Sequence, residues 1–164
     1  LSAGLDFIRA EGFVFGHVAD EGYIDGCAAE LLRYRKNMNA EHIAIFTDIK
    51  KKHSSHAITQ DVSIAETAKT AEFFLSDGII ITGSSTGQEA LISEVSEAKN
   101  ATSLPIIIGS GINTENLSRY YAVADGFIVG SHFKKENQWY NPVDGNKVKQ
   151  FTHVLQNLKK SRNG

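Results

Sequence analysis

Two hydrophobic periods take turns along this chain. Five times, a short run rich in β-branched and other apolar residues is followed by Gly, Ser, Asp or Lys. Each time a longer segment then follows whose apolar positions recur at helical spacing. The runs predict strands at Asp6 to Phe13, His42 to Ile49, Gly78 to Thr82, Pro105 to Ile108 and Gly126 to Val129. The segments between and after them predict helices at Gly26 to Asn37, Asp61 to Leu75, Gln88 to Asn100, Thr114 to Tyr121 and Asn146 to Lys160. Asp61 and Asn113 place a short acceptor where the first helical amides lack partners, and both are read as caps.

The third to fifth runs are nearly pure Ile, Val, Phe and Gly, as expected of parallel strands covered on both faces. Sustained βα alternation has two main solutions, an open doubly wound sheet or a closed (β/α)8 barrel of the TIM type, which typically takes about 250 residues. Five units in 164 residues are either a complete flavodoxin-like sheet or the C-terminal five βα units of a barrel. The pattern alone leaves both open.

Composition narrows the setting. The length suits a single domain spanning residues 1–164, and a hydrophobic fraction of 41% is that of an ordinary soluble protein. A formal net charge of -2 supplies no basic field for a polyanion, so nucleic acid is not an expected partner. No apolar run approaches the roughly 18 residues that span a bilayer, so no membrane insertion is expected. The lone Cys27 cannot form an intrachain disulfide and fits a reducing compartment; the expected location is cytoplasmic. A strand-like run begins almost at Leu1, which suggests that the true N-terminus lies upstream.

The most specific chemical signal is a pair of glycine turns, Gly109-Ser110-Gly111 after the fourth run and Gly130-Ser131 after the fifth. In barrel enzymes the loops after the last two strands commonly bind phosphate. Glycine lets backbone amides approach phosphate oxygens, Ser110 and Ser131 can add hydroxyl donors, and a helix opening at Asn113 and Thr114 would favour an anion. The plain alternative is two tight turns.

Arg9 and Glu11 share a parity in the first run, so both point toward a barrel interior or its mouth, as a salt bridge or as an anion clamp with an acid or base. The second run ends Thr47-Asp48-Ile49-Lys50, where barrel enzymes carry catalytic groups. Asp48 and Lys50 can be an acid/base couple, Lys50 a Schiff-base amine, or the pair structural. Lys51, Lys52, His53 and His56 follow in the loop. These histidines, with His17, Asp20 and Asp61, lack the paired cysteines or HExxH run of a metal site, so neither metal nor cofactor is expected. The Gly83-Ser84-Ser85-Thr86-Gly87 loop lacks the P-loop lysine and is expected to shape the mouth. The stretch from Phe133 to Tyr140 reads as a solvated loop that can fold over the phosphate corner.

The segments FIRAEGFVFGHVADEGYIDG, IFTDIKKKHSSHAIT, DVSIAETA, FFLSDGIIITGSSTG, PIIIGSGI and ADGFIVGSHFKK resemble the BtpA family nearly from Leu1 to Val154. The resemblance implies a phosphate-binding (β/α)8 barrel, with Arg9, Glu11, Asp48, Lys50 and both glycine turns at the family's motif positions. It also implies three further βα units before Leu1. A partial barrel exposes strand edges and apolar interior, so either those units or a second copy of the chain is expected as cover. The expected ligand is a small phosphorylated metabolite, with an enzymatic reaction that the residues do not name. The alternatives are a non-catalytic assembly or stability factor, as the family's link to photosystem I accumulation suggests, and an inactive truncated form.

Overall fold

In the computed structural model, which describes residues 2–50, 53–83 and 87–163, five parallel strands make up the main sheet. In chain order the elements are β1 (Phe7–Ala10), β2 (His17–Ala19), β3 (Gly22–Ile24), α1 (Ala28–Asn37), β4 (Ala44–Asp48), β5 (Ser54–Ser55) and α2 (Ile64–Phe73). There follow β6 (Gly78–Ile81), α3 (Ile92–Ala101), β7 (Ile106–Ile108), α4 (Leu117–Tyr121), β8 (Gly126–Phe127) and α5 (Gly145–Asn163).

The main sheet runs β1-β4-β6-β7-β8, and every neighbouring pair is parallel. A flavodoxin-like sheet must reverse direction after its second strand. Here the order never reverses, so each crossover steps the same way. That is the wall of a barrel, and it removes the open-sheet alternative.

The outer wall is built from Ile79, Ile81, Ile106 and Ile108, which pack against Ala68 and Ala71 of α2, Val95 and Ala98 of α3, and Leu117 and Tyr120 of α4. Each buried isoleucine contributes roughly 1.5–3 kcal/mol. On the inner face small residues make room for large ones. A side chain at Gly78 would run into the Phe46 ring, which itself meets Phe7 edge-to-face at 5.2 Å.

A clasp at the strand beginnings recurs. Asp77, just before β6, accepts the Ile45 amide at 2.8 Å and the Arg35 guanidinium at 2.8 Å. Asp125, just before β8, accepts the Ile106 amide at 2.8 Å and Lys99 at 2.5 Å. In both, an Asp-Gly step ties the neighbouring strand to the helix that precedes it.

The structure corrects two expectations. Asp61 does not cap α2: Ser63 does, accepting from the Glu66 amide at 3.1 Å while Glu66 accepts the Ser63 amide at 2.9 Å. Residues 17–24, which no expected element covers, form the β2–β3 pair, and β5 joins it in a small antiparallel sheet ordered β3-β2-β5. Strands of two or three residues are too short for alternation to register.

Candidate functional site

The two glycine turns lie on neighbouring strands β7 and β8, and one cleft of about 440 Å³ at their C-terminal ends is lined by Gly109, Ser110, Gly111, Gly130 and Ser131. Asn113, His132, Lys134 and Trp139 line it too. Among the described residues, the amides of Ser110, Gly111, Gly130 and Ser131 find no carbonyl acceptor. Lys134 adds a cation with no ion pair among those residues. Trp139 is two-thirds exposed and stands edge-on to Tyr140, while Phe133 turns inward onto Phe151.

The glycines are there for different reasons. Gly111 has φ +74, and a side chain on it would collide with the Gln88 backbone. A side chain on Gly109 would press on Ile80 and Thr82 at 2.7 and 2.9 Å, and its amide is spent on the Ile81 carbonyl at 2.8 Å. Gly130 differs, because no described residue lies within 4 Å of the place its Cβ would occupy.

Two finer expectations change. The Ser110 hydroxyl donates to the Gln88 carbonyl at 3.0 Å and accepts the Gly83 amide at 2.9 Å, so its hydrogen is not left for a ligand. Asn113 does not cap α4: it accepts the Glu115 and Asn116 amides at 2.9 Å each in a turn ahead of the helix, whose N-cap is Asn116 without a side-chain cap bond. The helix beyond it starts only at Leu117 and has five residues, too short for a substantial dipole.

His132 bonds Thr114 Oγ1 at 3.2 Å and lies near Phe151. Burial, then the nearby Lys147 charge, holds its pKa below the ordinary histidine value, partly opposed by Glu115.

Between the neighbouring strands β1 and β4, Arg9 and Asp48 form a two-pronged ion pair, with Nε to Oδ2 and Nη2 to Oδ1 both 2.6 Å. The Asp48 side chain is 1% exposed and the Arg9 side chain 31%. The hydrogen bond to Asp48 raises the Arg9 pKa, against the effect of burial. The parity argument for Arg9 thus leads to a partner on the neighbouring strand.

Asp48 and Lys50 are not brought together as a bonded couple. Lys50 lies beyond the end of β4 with φ +50, and its Nζ donates to the Thr59 carbonyl at 2.8 Å. Burial lowers its pKa, partly opposed by Asp61. Glu11, His17, Asp48, Lys50 and His56 share one small pocket of about 20 Å³, room for about one water and not for a metabolite. A roomier hollow of about 740 Å³ lies beside it, bordered by Lys50, His53, His56, Thr82, Glu89 and Glu94. Lys51 and Lys52, and Ser84, Ser85 and Thr86 of the expected mouth loop, lie outside the described residues.

Parallel strands in sequential order, helices on the outside and a polar cleft at the strand C-termini define a (β/α)8-barrel protein of which this chain forms an arc. Its structure resembles the YdjI aldolase of Escherichia coli K12, with a TM-score of 0.50 at 11% identity, over 98% of this chain and 58% of that one. The chain belongs to the BtpA family, whose model matches residues 1–157. Relatives include a Caenorhabditis elegans protein labelled mitochondrial, 54% identical over 97% of this chain and 57% of its own length. Another is the photosystem I biogenesis protein BtpA of Synechocystis, 33% identical over 97% of this chain and 55% of its own. The chain thus spans little more than half the length of these curated relatives. The mitochondrial label stands beside the cytoplasmic expectation without deciding the compartment here. No described helix is long and apolar enough to cross a membrane.

Proposed function

We propose that this chain contributes the phosphate-gripping side of a barrel that binds a small phosphorylated metabolite. In this reading the phosphate sits in the cleft of Gly111, Gly130, Ser131 and Lys134, and the rest of the ligand extends toward Arg9, Glu11 and Asp48. The observation that carries it is the set of loop amides around one cleft that find no carbonyl acceptor among the described residues, joined by a lysine with no ion pair among those residues. Amides held in place by the fold, plus one cation, suit a phosphate without a helix dipole.

The test is thermal stabilisation by a panel of sugar and nucleoside phosphates, on wild type and on Gly130→Asp. The space around Gly130 lets the variant fold, and its carboxylate repels phosphate. The expected outcome is a raised melting temperature for wild type and none for the variant. The reading fails if no phosphate compound shifts the wild type, or if Gly130→Asp responds equally.

A second reading is a non-catalytic assembly factor, favoured by the name of the Synechocystis relative. It fits the engagement of Asp48 by Arg9 and of Lys50 by Thr59. Ligand stabilisation without turnover of any stabilising compound would favour it.

A further inference from the structure

The stretch that follows β8 borders the phosphate cleft with side chains of two kinds. Lys134 and Asn137 bring polar groups to it, and Trp139, the chain's one tryptophan, lines it as well. Trp139 is 67% exposed, whereas Phe133 of the same stretch packs inward on Phe151. Large aromatic side chains gain most from burial, so an indole left open at the wall of a cleft is the informative exception. Nor is the stretch a slack loop. Lys134 and Val143 pair as an antiparallel bridge, and the Lys135 amide donates to the Pro142 carbonyl at 3.0 Å. Lys147 Nζ donates to the Lys134 carbonyl at 2.9 Å and to Asn137 Oδ1 at 2.7 Å. Glu136 and Asn137 sit at φ +56 and +58, a left-handed geometry that such residues keep only where their surroundings impose it.

The cleft encloses about 440 Å³, which is the size of sites that hold whole metabolites and well beyond a single phosphate. A phosphate can use the loop amides and Lys134, but it has no use for an indole. A flat heteroaromatic group does, because every nucleic-acid base has a π-face that stacks on an exposed aromatic ring. Asn137 adds a polar contact at the same wall: with its Oδ1 held by Lys147, its amino group is the part left to meet a ring nitrogen or carbonyl. A nucleotide joins these demands in one molecule, whereas a simple sugar phosphate leaves the indole unused.

We propose that the phosphorylated metabolite is a nucleotide whose base stacks on Trp139 while its phosphate rests on the glycine turns and Lys134. This deepens the phosphate reading of the cleft and rests on it. The part of the ligand that extends toward Arg9 is then joined to the nucleoside through that phosphate.

Ribose 5-phosphate and adenosine monophosphate carry the same phosphate on the same sugar and differ in the base, so comparing them isolates the base subsite. Both, with inorganic phosphate as a third probe, are titrated by calorimetry into wild type, Trp139→Ala and Trp139→Phe. Wild type is expected to bind adenosine monophosphate about tenfold more tightly than ribose 5-phosphate. Because the chain has one tryptophan, its emission in wild type reports the stacking directly and should be quenched more by adenosine monophosphate than by ribose 5-phosphate. Trp139→Ala should lose the tenfold preference and bind ribose 5-phosphate and inorganic phosphate as wild type does. Trp139→Phe, which keeps a ring, should retain part of the preference. Trp139 is exposed, so both variants should melt close to wild type. Equal wild-type affinity for the two ribose phosphates, or a preference that survives Trp139→Ala, overturns the proposal and leaves the phosphate reading standing. An indole that serves only as a contact for another protein would give one of those results. If wild type binds none of the three, the cleft reading itself is wrong and the nucleotide falls with it.

Discussion

At the scale of single residues, the backbone shows where side-chain identity departs from conformational preference. Helix α1 closes on Asn39 at φ +50 and α2 on Leu75 at φ +62, each donating its amide back to the preceding turn. Asparagine tolerates the left-handed region, whereas leucine there costs about 1–2 kcal/mol. Leu75 is 65% exposed, so little burial holds it in place. Leu75→Gly should therefore stabilise the chain by about 0.5 kcal/mol after glycine's own entropy penalty of roughly 0.5–1 kcal/mol is subtracted. A urea midpoint below wild type would refute this. The same reasoning separates the glycines of the site: Gly111 answers to φ and the Gln88 backbone, Gly109 to Ile80 and Thr82, and Gly130 to neither. All three look alike in sequence.

At the scale of elements, strands and helices were legible because their periods differ and each run is long enough to count. The ends were legible where the signal was local. Ser63 and Glu66 form a capping box written plainly as S-x-x-E, two residues after the other candidate cap, Asp61. The β2–β3 pair was not legible, since three-residue strands carry no period. The Asp-Gly repeat at 77–78 and 125–126 was visible as text, but its meaning depends on Ile45 and Ile106, which belong to other strands. Asp125→Ala removes the acceptor from the Ile106 amide and the partner of Lys99, and should destabilise the chain by about 1–3 kcal/mol. Asp125→Asn keeps an acceptor for the amide and should recover part of the loss. Equal unfolding midpoints for wild type and Asp125→Ala would show that the clasp holds nothing.

At the scale of the whole molecule, α5 is fastened to the end of the barrel wall through Phe151, which meets Phe133 at 5.2 Å and His132 at 6.1 Å. The folded state holds the His132 pKa below its ordinary value, through burial and the Lys147 charge. The unfolded chain therefore binds the proton first as pH falls. Stability from the neutral imidazole is fully present above about pH 6.5 and is lost as pH drops through the lower folded value. His132→Gln should flatten the fall in melting temperature between pH 7.5 and pH 5. An unchanged slope in the variant would assign the acid sensitivity to other groups.

The sequence by itself determined the five βα units, the nature of their buried faces and the presence of two glycine turns, because periodicity, β-branching and turn chemistry act over a few neighbouring residues. Its local pattern left the barrel and the open sheet both standing, since they share that pattern and differ only in strand order; the barrel was implied by the family resemblance alone. Tertiary structure decided that order. It also decided that Asp48 faces Arg9 and not Lys50, and that Lys134 joins glycines from two strands around one cleft. Each of these is a meeting of residues tens of positions apart, set by strand register and packing, and no local pattern encodes it.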